Sequence, residues 1–575
     1  MLKIYRFLQP FRMSLGAVLL LVFAQTMTEL YLPTLMSDIV DTGIVSGDTP
    51  YIIKTGGLML LIAAGSTICS IMVSFLAART SVGLGRILRS RVFSRVEDFS
   101  LHEFNQFGTA TLITRTTNDI NQIQTVTFMI MRMMISAPLM CIGGIIMALS
   151  QDLPLSLVFL AAIPVIAGLI IIIMSKAIPL FKIMQIKLDR LNLVLRENLT
   201  GIRVIRAFNR ISQEQQRFTE ANTDLTNNAV RVNKLMATMM PGMMLVMNFT
   251  LIAIIWFGSI RIDNGGMQVG SLMAFIQYAM MIMISLIIMS MLFIMLPRAS
   301  ASAERINAVL DTKPEITDAS QTMRPDKNKG CLEFREVSYS FQGAEQPALS
   351  NISFTAGPGQ TTAIIGGTGS GKTTLINLIP RFYDVDEGAV LIDGVDVREM
   401  AQHELRANIG LVPQNTVLFT GTVAENIRYG KPDASDDEVL SAASTAQALE
   451  FISGMPQGFD SLIEQGGINV SGGQKQRLSI ARALVRRPVI YIFDDSFSAL
   501  DFKTDARLRA ALKKETLNST VLIIAQRVAT VMEADQIIVL EEGQIAGMGS
   551  HKELLDSCAV YREIVYSQLS REELA

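Results

Sequence analysis

Apolar positions are spread unevenly along the chain, and that unevenness divides it. Six apolar runs, near residues 14–37, 54–77, 128–150, 154–175, 241–261 and 268–296, each approach the ~20 residues a helix needs to cross a bilayer. Each run therefore predicts a spanning helix. Past residue 330 the runs shorten, and stretches such as Thr362-Ala363-Ile364-Ile365 read as buried strands between helix-period segments. The intervening residues are polar and hold Pro314 and Pro325. The pattern predicts an all-α membrane domain over 1–300, a linker over 301–330 and an α/β domain over 331–575.

The connections carry the topology. The short one from Asp38 to Tyr51 holds Asp38, Asp41 and Asp48 and no base, whereas two long connections hold most of the membrane half's arginines and lysines, among them Arg86, Arg89, Arg95, Lys187, Arg196 and Arg210. The positive-inside rule then puts both long connections and both termini in the cytoplasm. Helical periodicity persists into these connections, so the flanking spans extend as helices beyond the membrane. Their tips, near 104–119 and 208–215, are placed to dock on a cytoplasmic domain rather than to form loose loops of such length. Lys3 to Arg12 mixes aromatics and bases and reads either as a short helix along the inner surface or as a frayed start.

Composition narrows the class. Hydrophobic residues make up 50% and charged residues only 18% of 575, too apolar for a soluble enzyme, and a net charge of −2 gives no footprint for nucleic acid. Cys69, Cys141, Cys331 and Cys558 are scattered, with neither metal-ligand spacing nor a disulfide framework. The first apolar run is too long for a cleavable signal peptide and lacks a small-residue cleavage site.

Within the spans two features stand out. Methionine is abundant, 33 in all, with one group around Met236, Met239, Met240, Met243, Met244 and Met247 and another from Met273 to Met295 that includes Met280, Met281, Met283, Met289 and Met291. Such thioethers either line a cavity that repacks around dissimilar apolar ligands or simply fill lipid-facing surface. Polar side chains in hydrocarbon are costly, so Gln25, Glu29, Asn248, Gln277 and Tyr278 are expected to face the bundle interior as candidate cavity residues. Glu29 is the candidate for touching a cationic substrate, and Arg132 is expected to snorkel to the inner interface.

The sharpest chemical signal is Gly366-Gly367-Thr368-Gly369-Ser370-Gly371-Lys372-Thr373, directly after an apolar strand and before the helix-forming Thr374 to Ile379. Glycines let successive backbone N–H groups converge on phosphate oxygens, the new helix adds its positive dipole end, Lys372 reaches the outer phosphates and the Thr373 hydroxyl ligates Mg²⁺. The run Val489 to Phe493 ends in Asp494, a second carboxylate-bearing strand for the same metal. Together they predict ATP and Mg²⁺.

With these residues the chain resembles an ATP-binding cassette (ABC) exporter of the half-transporter type, six spans fused to one cassette, over essentially its whole length. The resemblance implies a RecA-like nucleotide-binding domain with a helical subdomain. Val337-Ser338-Tyr339-Ser340-Phe341 resembles the aromatic loop and implies Phe341 against adenine; Leu411-Val412-Pro413-Gln414 resembles the Q-loop and implies Gln414 at Mg²⁺. Ser471-Gly472-Gly473-Gln474-Lys475-Gln476-Arg477 is similar to the family signature, which faces the γ-phosphate held by a second subunit, and Ser498-Ala499-Leu500-Asp501 resembles the D-loop that crosses that interface.

Two positions depart from the family pattern. The general base, a glutamate after Asp494, is here Asp495, and the switch histidine that should follow the strand Thr520 to Ile524 is Gln526 in Ala525-Gln526-Arg527. Loss of one methylene draws the carboxylate back from the attacking water, and a misplacement of ~1 Å costs on the order of 10²-fold in rate. Gln526 can hydrogen-bond a phosphate but carries no positive charge. The combination resembles the degenerate-site subunit of heterodimeric multidrug exporters, whose partner brings the glutamate and histidine. The alternatives are a homodimer of slow sites exporting lipids, drugs or peptides, and an ATP-gated channel. A methionine-rich bundle with few fixed charges favours amphipathic small molecules, drugs or lipids, as cargo.

Overall fold

The computed structural model describes residues 2–319, 321–325 and 329–568, apart from the side chains of residues 2 and 291–294, so Met291 of the second methionine group lies outside it. Two compact units emerge, one of residues 1–97 with 108–312, the other of residues 98–107 with 313–575.

In the first unit, six helical runs among the described residues are long and apolar enough to cross a membrane: Lys3–Ile44, Thr49–Glu97, Thr109–Gln151, Leu153–Thr200, Ile211–Asp263 and Val269–Asp311. Each contains one expected apolar run, and the helices outlast the runs, as their periodicity predicted. The last continues to Asp311, so the first residues of the expected linker are helical. The amino terminus is a helical turn over Leu2–Tyr5 and a tighter one over Arg6–Phe11 that leads into the first span rather than fraying. The second long connection turns through a short helix, Ile202–Ala207.

Packing sorts the methionines by burial. Met239, Met243 and Met283 are buried in a cluster with Ala162, Ile166 and Ile173, while Met240, Met244, Met273 and Met280 are exposed. A second cluster stacks Phe159 on Phe275 at 5.1 Å beside Tyr278 and Ile282. Beyond the apolar runs, Asp119 is buried and held by the Arg305 guanidinium, whose Nε donates to Oδ2 at 2.8 Å, and by the Ser302 hydroxyl at 2.9 Å.

The second unit is built on two sheets. Strands β1 (Leu332–Tyr339), β2 (Leu349–Ala356), β4 (Glu387–Ile392) and β5 (Val395–Asp396) form an antiparallel sheet in the order β2-β1-β4-β5. Strands β3 (Thr361–Gly366), β6 (Ile409–Val412), β9 (Ile490–Asp494), β10 (Thr520–Ile524), β11 (Gln536–Glu541) and β12 (Gln544–Gly549) form a sheet in the order β12-β11-β3-β10-β9-β6. All its pairings are parallel except β11 with β12. Strands β9 and β10 are buried at every residue, which explains why they read as continuous apolar runs without alternation. A ribbon of β7 (Gly421–Thr422) and β8 (Leu462–Ile463) accompanies a group of helices that includes Asp436–Thr445 and Gly472–Leu484.

The short helix Leu101–Phe107, carried between the second and third spans, belongs to this second unit. Its Glu103 is buried and accepts from the Ser100 N–H at 2.7 Å and the Glu315 N–H at 3.0 Å, while Asn105 is paired with the Tyr383 hydroxyl. The first docking tip is thus real but centred earlier than 104–119.

Removing Arg305 takes from buried Asp119 its hydrogen-bonded cation and leaves only the charge of Arg115 nearby. Fully buried pairs lose about 3–5 kcal/mol in this way; because the Arg305 side chain is 47% exposed, we expect about 1–3 kcal/mol. Thermal unfolding in detergent should place Arg305→Met below wild type and the double variant Asp119→Leu/Arg305→Met close to it; an unchanged single variant would contradict the pairing.

Candidate functional site

The site grows from the carboxyl ends of the parallel strands, where ligands bind in sheets of this class. After β3 the chain makes the loop Gly367 to Gly371, in which Gly369 and Gly371 adopt φ of +84° and +94°. At Gly371 a side chain is excluded twice, by the left-handed backbone and by the Ala348 carbonyl, which would lie 2.7 Å from a Cβ. Lys372 opens the following helix and turns its ammonium back into the loop, donating to the Gly366 and Gly367 carbonyls at 2.9 and 2.6 Å and to the Ser370 hydroxyl at 3.3 Å. Burial pushes the Lys372 pKa down, against the pull of Asp494 and Asp495.

Strands β9 and β10 deliver the carboxylates and their neighbours. Asp494 ends β9 beside the loop, and the Thr373 hydroxyl donates to its Oδ2 at 3.4 Å. Asp495 follows with φ +46° and accepts on Oδ2 from two amides, Gln526 at 3.3 Å and Gln414 at 3.5 Å. Burial raises the pKa of both aspartates, and for Asp494 the charge of Asp495 adds to the effect. Phe341 lies 42% exposed at the edge, perpendicular to Tyr339 and Tyr383 at centroid distances of 5.1 and 5.8 Å.

These groups share one cleft of about 370 Å³, walled by Phe341, Thr368 to Thr374, Gln414, Asp494, Asp495 and Gln526. Sequence reasoning missed Ala348 and Ile524, which complete the wall; a small and a branched apolar residue at strand ends give no chemical signal. Gly366 and Gly367 support the cleft through their carbonyls without lining it. A hydroxyl and a carboxylate 3.4 Å apart, with an amide nearby, are hard oxygen donors of the kind Mg²⁺ takes while keeping several waters. No group of three or more His, Cys, Asp or Glu able to hold a metal occurs among the described residues.

The signature residues lie elsewhere. Ser471 is exposed and caps the helix Gly472–Leu484 in a capping box: its hydroxyl accepts from the Gln474 N–H at 3.3 Å, and the Gln474 side chain accepts from the Ser471 N–H at 2.8 Å. Gly473 is packed so closely that a Cβ would lie 2.9 Å from the Ala499 carbonyl, and Gln476 accepts from the Ala499 N–H at 3.3 Å. The serine turn and the 498–501 turn therefore hold each other. Asp501 caps the helix Phe502–Glu515 by accepting from the Thr504 N–H at 3.0 Å and does not line the cleft of its own chain.

The five polar residues of the spans do not converge. Glu29 accepts from Gln25 and from Ser66, whereas the Tyr278 hydroxyl is buried against Thr34 at 2.7 Å and the Leu30 carbonyl at 3.0 Å. Gln277 is half-buried and Asn248 exposed, so within this chain the five share no single contact network. The helical period explains this, because Glu29 and Leu30 are adjacent in sequence and point about 100° apart.

A family profile described as "ABC transporter transmembrane region" matches residues 15–287, and one described as "ABC transporter" matches residues 349–498. An "Uncharacterized ABC transporter ATP-binding protein" of Mycobacterium tuberculosis is 43% identical over 565 residues, covering 98% of this chain and 97% of the relative. An "ATP-dependent lipid A-core flippase" of Chromobacterium violaceum is 30% identical over 99% of this chain and 98% of its own length. The solved structure of a bacterial Atm1-family ABC exporter with ATP bound superposes with a TM-score of 0.81 at 26% identity, covering 97% of this chain and 99% of that one.

Because their folded pKa values are raised, Asp494 and Asp495 bind protons more tightly folded than unfolded, so they lower stability at neutral pH and that loss is recovered as pH falls through the raised values. In chelator and without nucleotide, Asp495→Asn should raise the melting temperature at neutral pH, with a gain that shrinks on acidification. A gain independent of pH, or a loss, would contradict the electrostatic account.

Proposed function

The chain belongs to the ABC transporter family, and from that premise we infer that it is one subunit of a two-chain exporter, holding ATP at its own phosphate loop while lending its signature serine to the partner's hydrolytic site. A six-span region and a cassette in one polypeptide make it an ATP-hydrolysing, multi-pass translocase that uses Mg²⁺-ATP. In this reading Lys372 neutralises the outer phosphates, Thr373, Asp494 and Gln414 hold Mg²⁺, and the free surface of Phe341 stacks on adenine.

The observation that carries the asymmetric role is Asp495, whose accepting oxygen already faces two glutamine amides. General-base catalysis needs a carboxylate within hydrogen-bond reach of the attacking water. Here the side chain is one methylene short of the family's glutamate, and its neighbour Gln526 supplies no charge to a developing phosphate. Binding groups are complete while hydrolytic groups are weakened. Ser471, by contrast, is exposed on an intact capped turn, the arrangement that a second subunit's nucleotide requires.

Orientation and cargo follow from charge. The bases of the long connections put both termini and the cassette in the cytoplasm, with the spans in the cell membrane. An apolar, methionine-bearing bundle suits amphipathic drugs or lipids, and the likeness to a lipid flippase is in keeping with that. Export then requires that cargo and ATP each favour one of two global states.

In the assembled transporter Asp495→Ala should change ATPase turnover less than about threefold, whereas replacing the partner's general base should cost about 10²-fold or more, and Ser471→Ala should be comparably severe. Steady-state phosphate release measures all three. Equal losses from both base variants would refute the division of roles, and would favour a homodimer of slow sites.

A further inference from the structure

We propose that Glu29 is the recognition point for the positively charged head of an amphipathic substrate, an inference that rests on the exporter reading above and narrows its cargo. Among the six apolar runs, Glu29 is the one acidic or basic side chain more than two helical turns from either end. Lys54 and Arg261 stand at run ends, and Arg132 is little more than one turn inside. At that depth an ionised carboxylate is costly without a counter-charge, so it marks function more often than packing.

The immediate geometry is that of an oriented but unneutralised acid. Gln25, one turn earlier, donates its amide to Oε1 at 2.9 Å, and the buried Ser66 hydroxyl of the second span donates to the same oxygen at 3.3 Å. Both donors are neutral, and the second oxygen has no hydrogen-bond partner among the described residues. Every arginine or lysine that pairs with a carboxylate in this unit does so with another residue: Lys3 with Asp311, Lys187 with Asp224, Arg217 with Glu197, Arg261 with Asp152 and Arg305 with Asp119. Glu29 itself is only half-buried. The carboxylate is therefore fixed through one oxygen while the other is left without a donor among the described residues.

A quaternary or protonated amine, or a phosphonium, offers the missing charge on an apolar body that the surrounding spans can accept. An anionic amphipath meets only repulsion at this point. Electrostatic complementarity of this kind sets selectivity more than overall affinity.

Tetraphenylphosphonium and tetraphenylborate, nearly the same shape with opposite charge, provide the test. Equilibrium binding to the full-length transporter in nanodiscs, without nucleotide, should favour the cation by about tenfold or more, and Glu29→Gln should remove that preference by weakening the cation about tenfold while leaving the anion unchanged or tighter. The amide keeps the size of the side chain and can still accept from Gln25 and Ser66. Ser66→Ala, which frees the carboxylate's orientation, should weaken the cation alone by a few-fold. No cation preference in the wild type, equal cation binding by wild type and Glu29→Gln, or a parallel loss of both ions would overturn the proposal, the last pointing to a purely structural hydrogen bond. Because binding is read without ATP, an error in the roles of the nucleotide sites leaves it untouched; an error in the exporter reading would appear separately, as intact binding without ATP-driven accumulation of the cation in inside-out vesicles.

Discussion

A half-buried carboxylate beside a buried one, set on a left-handed backbone and met by two glutamine amides, is the constraint on which the reading of this cassette depends. The reach of Asp495 is set by its single methylene, and its position after β9 is dictated by a strand that is buried throughout. The rest of the cleft is conventional in its chemistry: a glycine loop that exists only because φ is positive at Gly369 and Gly371, a lysine poised inside it, and a hydroxyl-carboxylate pair suited to Mg²⁺. In the proposed reading such a site binds ATP fully and cleaves it poorly, and the serine turn of this chain serves a partner's nucleotide instead.

The membrane unit handles charge by a consistent rule. Asp152 is buried, caps the fourth span through the Leu155 N–H at 2.8 Å and meets Arg261 at 2.8 Å. Asp41 accepts from the Gly270 and Ser271 N–H groups at 2.6 and 3.0 Å, tying the end of the first span to the start of the sixth. Asp119 has Arg305. Each of these carboxylates lies at or beyond a span end and is met by a cation, by backbone N–H groups or by both. Glu29 lies deep and is met by neutral side-chain donors, and that contrast is why it reads as a binding group.

Much of this was legible because the signals were local. A strand, a glycine loop and a lysine are contiguous, so the loop and the pairing of Thr373 with Asp494 beside it could be anticipated from spacing, and the fold class followed from six apolar runs and a change of period. What escaped the sequence depends on rotation and on distant contacts. Gln25 and Glu29 share a helix face, but nothing in the chain says that Ser66 lies opposite, nor that Tyr278 is consumed by Thr34 and Leu30. Asn248 was placed inside on cost alone, and within this chain it is exposed. The docking helix was located a few residues late because its anchor, Glu103 on the Glu315 N–H, links segments far apart in sequence.

The most direct test of the central claim follows the fate of the γ-phosphate at each loop. The assembled transporter is given azido-ATP carrying radiolabel on either the α- or the γ-phosphate, allowed to turn over, crosslinked by light and separated into its chains. The account predicts that this chain, labelled through its Lys372 loop, retains both labels, as expected of uncleaved ATP, while the companion chain retains only the α label. Loss of the γ label from this chain at the same rate as from its companion would contradict it.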